Sequence, residues 1–280
     1  MKYKFLQLSL VVLPCLLTAN ASIILEGDYV KTAVSDNGTL GFGGNTTPGL
    51  LHDALGTGSF STNDYLTPGI PWEYFGIDSL ETGNVGNNNA SFSTNSFSLS
   101  SLTDISATSA YDNALNWSGT YGSYLSLSTD TFFNDNDEFV SFITTVTALS
   151  DLTDLSFLRA IDPDMPSGTG TLNNRGFADL SPSDWVNSEN ISNGLTLGLY
   201  SISDVTHNTG VTGWETAHSG YLSGTNVGNG DNTIGMAFDI GSLALGETAS
   251  FKYHYVMGDT PATVDIPTDV PEPSTLAIFA

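Results

Sequence analysis

Hydrophobic and polar residues alternate along much of this chain, with the period of two that sets successive side chains on opposite faces of a strand. In "YGSYLSLS" (121–128) Leu125 and Leu127 alternate with serines, Phe97 and Leu99 flank Ser98, and in "ASFKYHYVMG" (249–258) Phe251, Tyr253 and Tyr255 share a face. Two denser runs, "EFVSFITTVTAL" (138–149) and "LSFLRAID" (155–162), have the β-branched and aromatic content of buried strands. The intervening "DLTD" (151–154) predicts a turn that would pair them as a central hairpin. "GLTLGLYSIS" (194–203), with Leu195, Leu197 and Leu199 on one face, and "TIGMAFDI" (233–240) predict two more strands. Asn37-Gly38, between apolar runs, is the strongest local hairpin signal, because the pair tolerates the positive φ of a tight turn. Turn-rich stretches such as "NNNAS", "PSGTGT" and "GTNVGNGDN" recur along the chain with no long helical pattern between them, as in a β-sandwich.

Composition sharpens this picture. Hydrophobic residues make up 40% and charged residues only 13%, so the chain can fill a core yet is short of the Lys, Glu, Gln and Arg that favour helices. Little helix is expected. With 30 acids against 6 Lys and Arg the formal net charge is −24, which excludes nucleic acid as a partner.

The two ends depart from the strand pattern. Residues 1–21 open with Lys2 and Lys4, continue through an apolar run too short to span a bilayer, and end in Ala19-Asn20-Ala21, the small-x-small site of a secretory leader cut before Ser22. Pro14 stands where a lipoprotein signal wants a small residue, so Cys15, the lone cysteine, is expected to leave with the leader. Its removal takes two of the six cations and none of the thirty acids, leaving −26. Without cysteine, the mature chain must cohere by burial alone. No repeat or composition break interrupts 22–258, which reads as one domain; 259–269 reads as a proline-rich tether.

At the other end, Val270-Pro271-Glu272-Pro273-Ser274-Thr275 resembles the sorting signal of PEP-CTERM proteins, exports of Gram-negative bacteria. The resemblance implies handling by exosortase and the secretion machinery, with delivery to the outer surface or the exopolysaccharide matrix. It covers residues 270–280 and implies an address rather than an activity. The family's motif precedes an apolar span and a basic cluster. The five residues from Leu276 to Ala280 reach about 7.5 Å as a helix against ~30 Å of hydrocarbon, so they read as the start of a truncated span.

Candidate chemistry is sparse. "NDNDE" (134–138), with Asp135 and Asp137, and "DPD" (162–164), with Asp162 and Asp164, group the hard oxygen ligands of a structural calcium ion, the one cofactor considered, though neither completes a calcium loop. Gly-x-Ser-x-Gly and His-Glu-x-x-His are both missing, which removes the common hydrolase signatures. Glu215-x-x-His218 has metal-ligand spacing for a helix but sits among glycines, and His254, between Tyr253 and Tyr255, reads as a strand surface residue. Arg159 reads as half of a structural ion pair. Trp72, Trp117, Trp185 and Trp214 offer flat faces to sugar rings, and a pair such as Glu73 and Asp78 would supply acid and base for glycoside cleavage if the fold brought them together. The expectation is an all-β chain, a large antiparallel β-sandwich of supersandwich type, acting as a non-enzymatic surface or matrix protein. The alternative is a carbohydrate-binding domain or carbohydrate-active enzyme, with extracellular polysaccharide as its partner.

Overall fold

The computed structural model describes residues 22–43, 46–60, 64–67, 72–90, 95–166 and 170–267. Ala19, Ala21 and the motif at 270–275 lie outside them. Within them the chain is almost wholly antiparallel β. A three-stranded sheet holds β1 (Ser22–Glu26), β2 (Val30–Ser35) and β3 (Leu50–His52) in that order. A five-stranded sheet has the order β14 (His207–Thr212), β15 (Thr233–Leu243), β10 (Leu152–Ile161), β4 (Glu73–Asp78), β5 (Val85–Asn88). An eight-stranded sheet runs β11 (Thr171–Arg175), β12 (Trp185–Asn190), β13 (Thr196–Tyr200), β16 (Thr248–Gly258), β9 (Phe139–Ala148), β8 (Leu125–Phe133), β7 (Asn113–Tyr121), β6 (Ser98–Asp104). The architecture is the predicted β-sandwich.

The alternation in sequence becomes the two faces of each strand. Leu125, Leu127, Thr129 and Thr131 of β8 are buried, while Ser126, Ser128 and Asp130 between them are half-exposed. Between the two larger sheets the core is aromatic: Phe238 lies 4.3 Å from Phe251 and Phe157 5.0 Å from Phe251, with Phe142 stacked on Tyr253 at 5.1 Å. Leu25, Val30, Val34 and Leu50 of the small sheet join the same apolar cluster. The Asn37-Gly38 hairpin forms. Gly38 has φ 82°, its N–H donates to the Ser35 carbonyl at 2.9 Å, and a Cβ there would lie 2.6 Å from the Trp117 ring.

Three expectations are corrected. The runs at 138–149 and 155–162 do not pair: "DLTD" hands the chain from β9, central in the eight-stranded sheet, to β10, central in the five-stranded one. Each strand turns an apolar face into the core between the sheets, where Phe142 of β9 and Phe157 of β10 both pack against Tyr253. His254 is buried, because Val264 and Ile266 of the proline-rich stretch pack with Trp185, Tyr200, Val256 and Phe139 on this face. The glycine-rich segment after Trp214 carries a short helix, α1 (His218–Leu222), since docking Tyr221 and His218 onto the sheet outweighs weak local propensity.

Candidate functional site

Antiparallel register gathers four separate segments at one end of the five-stranded sheet. Glu73 pairs with Ile161, Ile161 with Ile234, and Ile234 with Val211. Trp72 before β4, Asp162 after β10, Trp214 after β14 and Asp231 before β15 therefore share a rim. The Asp162 N–H donates to the Trp72 carbonyl at 2.9 Å, and the Asp164 N–H to that of Tyr65 at 2.8 Å.

A web of hydroxyls and rings holds the rim. Trp72 stacks on Tyr74 at 5.8 Å, the Tyr74 hydroxyl donates to Asn84 at 3.0 Å, and the Asn84 amide donates to the Thr216 carbonyl at 2.6 Å. The Trp214 N–H donates to Thr233 Oγ1 at 3.3 Å, and Thr233 and Thr212 hydroxyls bond each other and the buried Tyr221 hydroxyl. Trp214 is held at φ 56° with its side chain 50% exposed. For a bulky residue this left-handed backbone is strained, and it persists only where the surroundings enforce it.

Beside it, Asp162 is only 4% exposed, and its Oδ1 has no hydrogen-bond partner. Burial pushes its pKa from the usual 3.8 up to about 6; the indole N–H of Trp214 opposes the shift, and the charges of Asp231 and Asp164 add to it. A group that holds its proton more tightly folded than unfolded loses stability for the fold as pH rises from 3.8 through about 6. Asp162→Asn should therefore melt about 2–4 °C higher than the parent at pH 8 and show no gain at pH 4. A thermal unfolding series across that interval checks it; an equal gain at both pH values would contradict the assignment.

The rim unites two of the four candidate tryptophans with two of the four candidate aspartates. Trp117 and Trp185 are core residues, 2% and 0% exposed, with ring N–H groups bonded to the Asp36 carbonyl at 2.9 Å and to Asn187 at 3.0 Å, so neither offers a face to sugar. Asp135 accepts from the Asn113 amide at 3.0 Å, and Asp137 caps its own turn by accepting from the Asn134 backbone at 2.7 Å. Among the described residues no three Asp, Glu, His or Cys converge as a metal site would require. Glu73 and Asp78 occupy opposite ends of β4, about 17 Å apart at strand spacing, beyond the ~5–9.5 Å of glycosidase carboxylates. Glu73 is instead paired with Arg159 in the core. His218 is buried with its Nδ1 2.8 Å from Ser156 Oγ, and burial pulls its pKa down to about 3. Sequence reasoning missed Asp231, which stood inside a turn signal, and the Tyr74–Asn84–Thr216 tie. Neither carries a local signal, because each depends on strand register.

No protein-family model matches the chain, and no curated protein matches it. Solved structures do. A bacterial glucoamylase determined with acarbose matches 86% of this chain at 12% identity and a TM-score of 0.54, and this chain spans 32% of the glucoamylase. A galactose mutarotase related enzyme from Lactobacillus acidophilus matches 88% of this chain and 100% of its own at 8% identity and a TM-score of 0.46. A TPR-domain containing protein from Parabacteroides distasonis matches 91% of this chain and 50% of its own at 11% identity and 0.47. At such identity the glucoamylase likeness is one of fold. The fold therefore occurs in enzymes.

Proposed function

We propose that this chain is an exported, non-enzymatic protein of the bacterial surface or exopolysaccharide matrix that grips carbohydrate through the rim of its five-stranded sheet. In this reading the leader is cut before Ser22, exosortase handles the tail at 270–275, and the sandwich is the cargo. One observation carries the binding role: a half-exposed tryptophan is held in a strained backbone beside a buried carboxyl with a free oxygen. The ring gives an apolar face to a pyranose, while Asp162 and the flanking Asp164 and Asp231 accept hydrogen bonds from its hydroxyls. The rim acids act as hydrogen-bond partners, and no step of bond cleavage is assigned to them. The strong acidity favours neutral sugars over polyanions.

The test expresses residues 1–280 in a Gram-negative host and titrates the exported protein with short neutral oligosaccharides, reading tryptophan fluorescence. Trp214→Ala should weaken binding by about 2 kcal/mol, some thirtyfold, as loss of an interface tryptophan does. Its melting temperature should stay close to that of the parent, because half of the side chain is already in water. Unchanged affinity in this variant would sink the reading.

A further inference from the structure

A cavity of about 230 Å³ opens on the outer face of the eight-stranded sheet, away from the rim, and its wall holds both signs of charge. Strand register sets Phe132 of β8 level, through Ser141 of β9, with His254 of β16. Lys252, two residues from His254, therefore emerges on the same face, and it joins Phe132 in the wall. Tyr111 ahead of β7, Asp137 and Phe139 at the entry to β9, and Asp265 of the proline-rich stretch complete the lining that matters for charge and rings. Four segments far apart in the chain thus bring one ammonium, two carboxylates and three aromatic rings to one hollow.

The charges are graded in depth. Lys252 is 7% exposed, with its ammonium 5.8 Å from the centre of the Phe132 ring, whereas Asp137 is half-buried and Asp265 exposed. The cation therefore lies inward and the acids toward the mouth. Asp137 accepts from the Asn134 N–H at 2.7 Å through Oδ2, which leaves Oδ1 for a ligand. Burial raises the pKa of both acids; the charge of Asp265 adds to the shift of Asp137, and that of Glu138 to the shift of Asp265. A positive group placed between the two carboxylates would favour their charged forms. The Tyr111 ring lies 4.2 Å from that of Phe132, so the same cavity has an apolar side. Its volume falls below the ~300–1,000 Å³ of sites for drug-sized ligands, which limits the occupant to a small molecule.

We propose that this cavity binds a free α-amino acid with an apolar side chain, its carboxylate directed at Lys252, its ammonium at Asp137 and Asp265, and its side chain at the three rings. Charge balance selects this class. A ligand with only a negative charge would meet two carboxylates at the mouth and the field of a chain of net charge −24. A ligand with only a positive charge would meet the buried ammonium of Lys252. A zwitterion gives each protein charge an opposite partner and carries no net charge against the field. A residue inside a polypeptide lacks both ionised groups, so a free amino acid is favoured over a chain. The site does not depend on Trp214 or on the carbohydrate reading of the rim.

The experiment is isothermal titration of the full chain with L-phenylalanine, with phenethylamine, which lacks the carboxylate, and hydrocinnamate, which lacks the ammonium, as singly charged controls. L-phenylalanine should bind about tenfold or more tightly than either control. Asp265→Asn should weaken L-phenylalanine about tenfold and leave hydrocinnamate no weaker, with an unchanged melting temperature because the side chain is exposed. Lys252→Met should weaken L-phenylalanine and leave phenethylamine no weaker; if that variant folds poorly, Asp265→Asn and the two controls decide the question without it. The proposal is overturned if L-phenylalanine does not bind, if either control binds as tightly, or if Asp265→Asn binds L-phenylalanine like the parent. Trp214→Ala should bind L-phenylalanine like the parent, and a loss there would place the amino acid at the rim and overturn the cavity. Loss of oligosaccharide binding in Trp214→Ala with amino-acid binding unmoved supports both sites separately, whereas amino-acid binding without any oligosaccharide binding fells the rim and leaves the cavity.

Discussion

Arg159→Met is expected to cost the fold about 3–5 kcal/mol, out of a total that for a domain is about 5–15 kcal/mol. Arg159 and Glu73 are 1% and 0% exposed by side chain and pair directly between the sheets. Glu73 also accepts from the Tyr255 hydroxyl and the Leu40 N–H, both at 2.9 Å, and the guanidinium lies 4.8 Å from the Phe142 ring centre. Removing the cation leaves a carboxylate in an apolar interior, where burial already pushes its pKa upward against the pull of Arg159. The converse variant, Glu73→Leu, strands a guanidinium and should cost a similar amount. The double variant should recover most of the loss, since a buried pair replaced by apolar groups is often neutral. Urea unfolding of the three variants measures this. Single losses below about 1 kcal/mol, or a double variant as unstable as the sum, would refute the account.

Trp117→Ala should cost about 3–5 kcal/mol, the range for deleting a buried aromatic. The ring meets Phe75 edge-on at 5.2 Å and fills the space that Gly38 and Gly119 leave open, where added Cβ atoms would each lie 2.6 Å from it. Its loss empties that space and strands the Asp36 carbonyl that the ring N–H satisfies. Gly38→Ala should be damaging beside the native ring and markedly less so in the Trp117→Ala background, apart from the positive-φ cost common to both. Denaturation midpoints of this cycle measure the coupling, and simple additivity would argue that ring and glycine are not in contact. Against this, Trp214→Ala should fall within about 0.5 kcal/mol of the parent in stability.

The contrast between those tryptophans marks how far the primary structure could be read. All four were equivalent as ring faces in the sequence. Trp117 lies inside the alternating stretch "ALNWSG", with Leu115 two residues earlier on its own face, so its inward orientation was legible there. Trp214 stands in a loop where alternation says nothing, and its exposure follows from a backbone conformation that Thr233 and the α1 segment impose. Asp162 was visible as an acid but not as a buried one, because its burial comes from segments far away in the chain.

Local pattern determined the class of fold, the strands, the inward residues of each and the Asn37-Gly38 turn. Period-two burial and turn stereochemistry are properties of neighbouring residues, so they need no partner to be read. Tertiary structure alone decided that β9 and β10 face each other from separate sheets, that His254 is covered, and that Trp72, Asp162, Trp214 and Asp231 meet on one rim. Those outcomes depend on strand order and register, set by how apolar faces from across the chain close on one another, and no short window of residues contains that information.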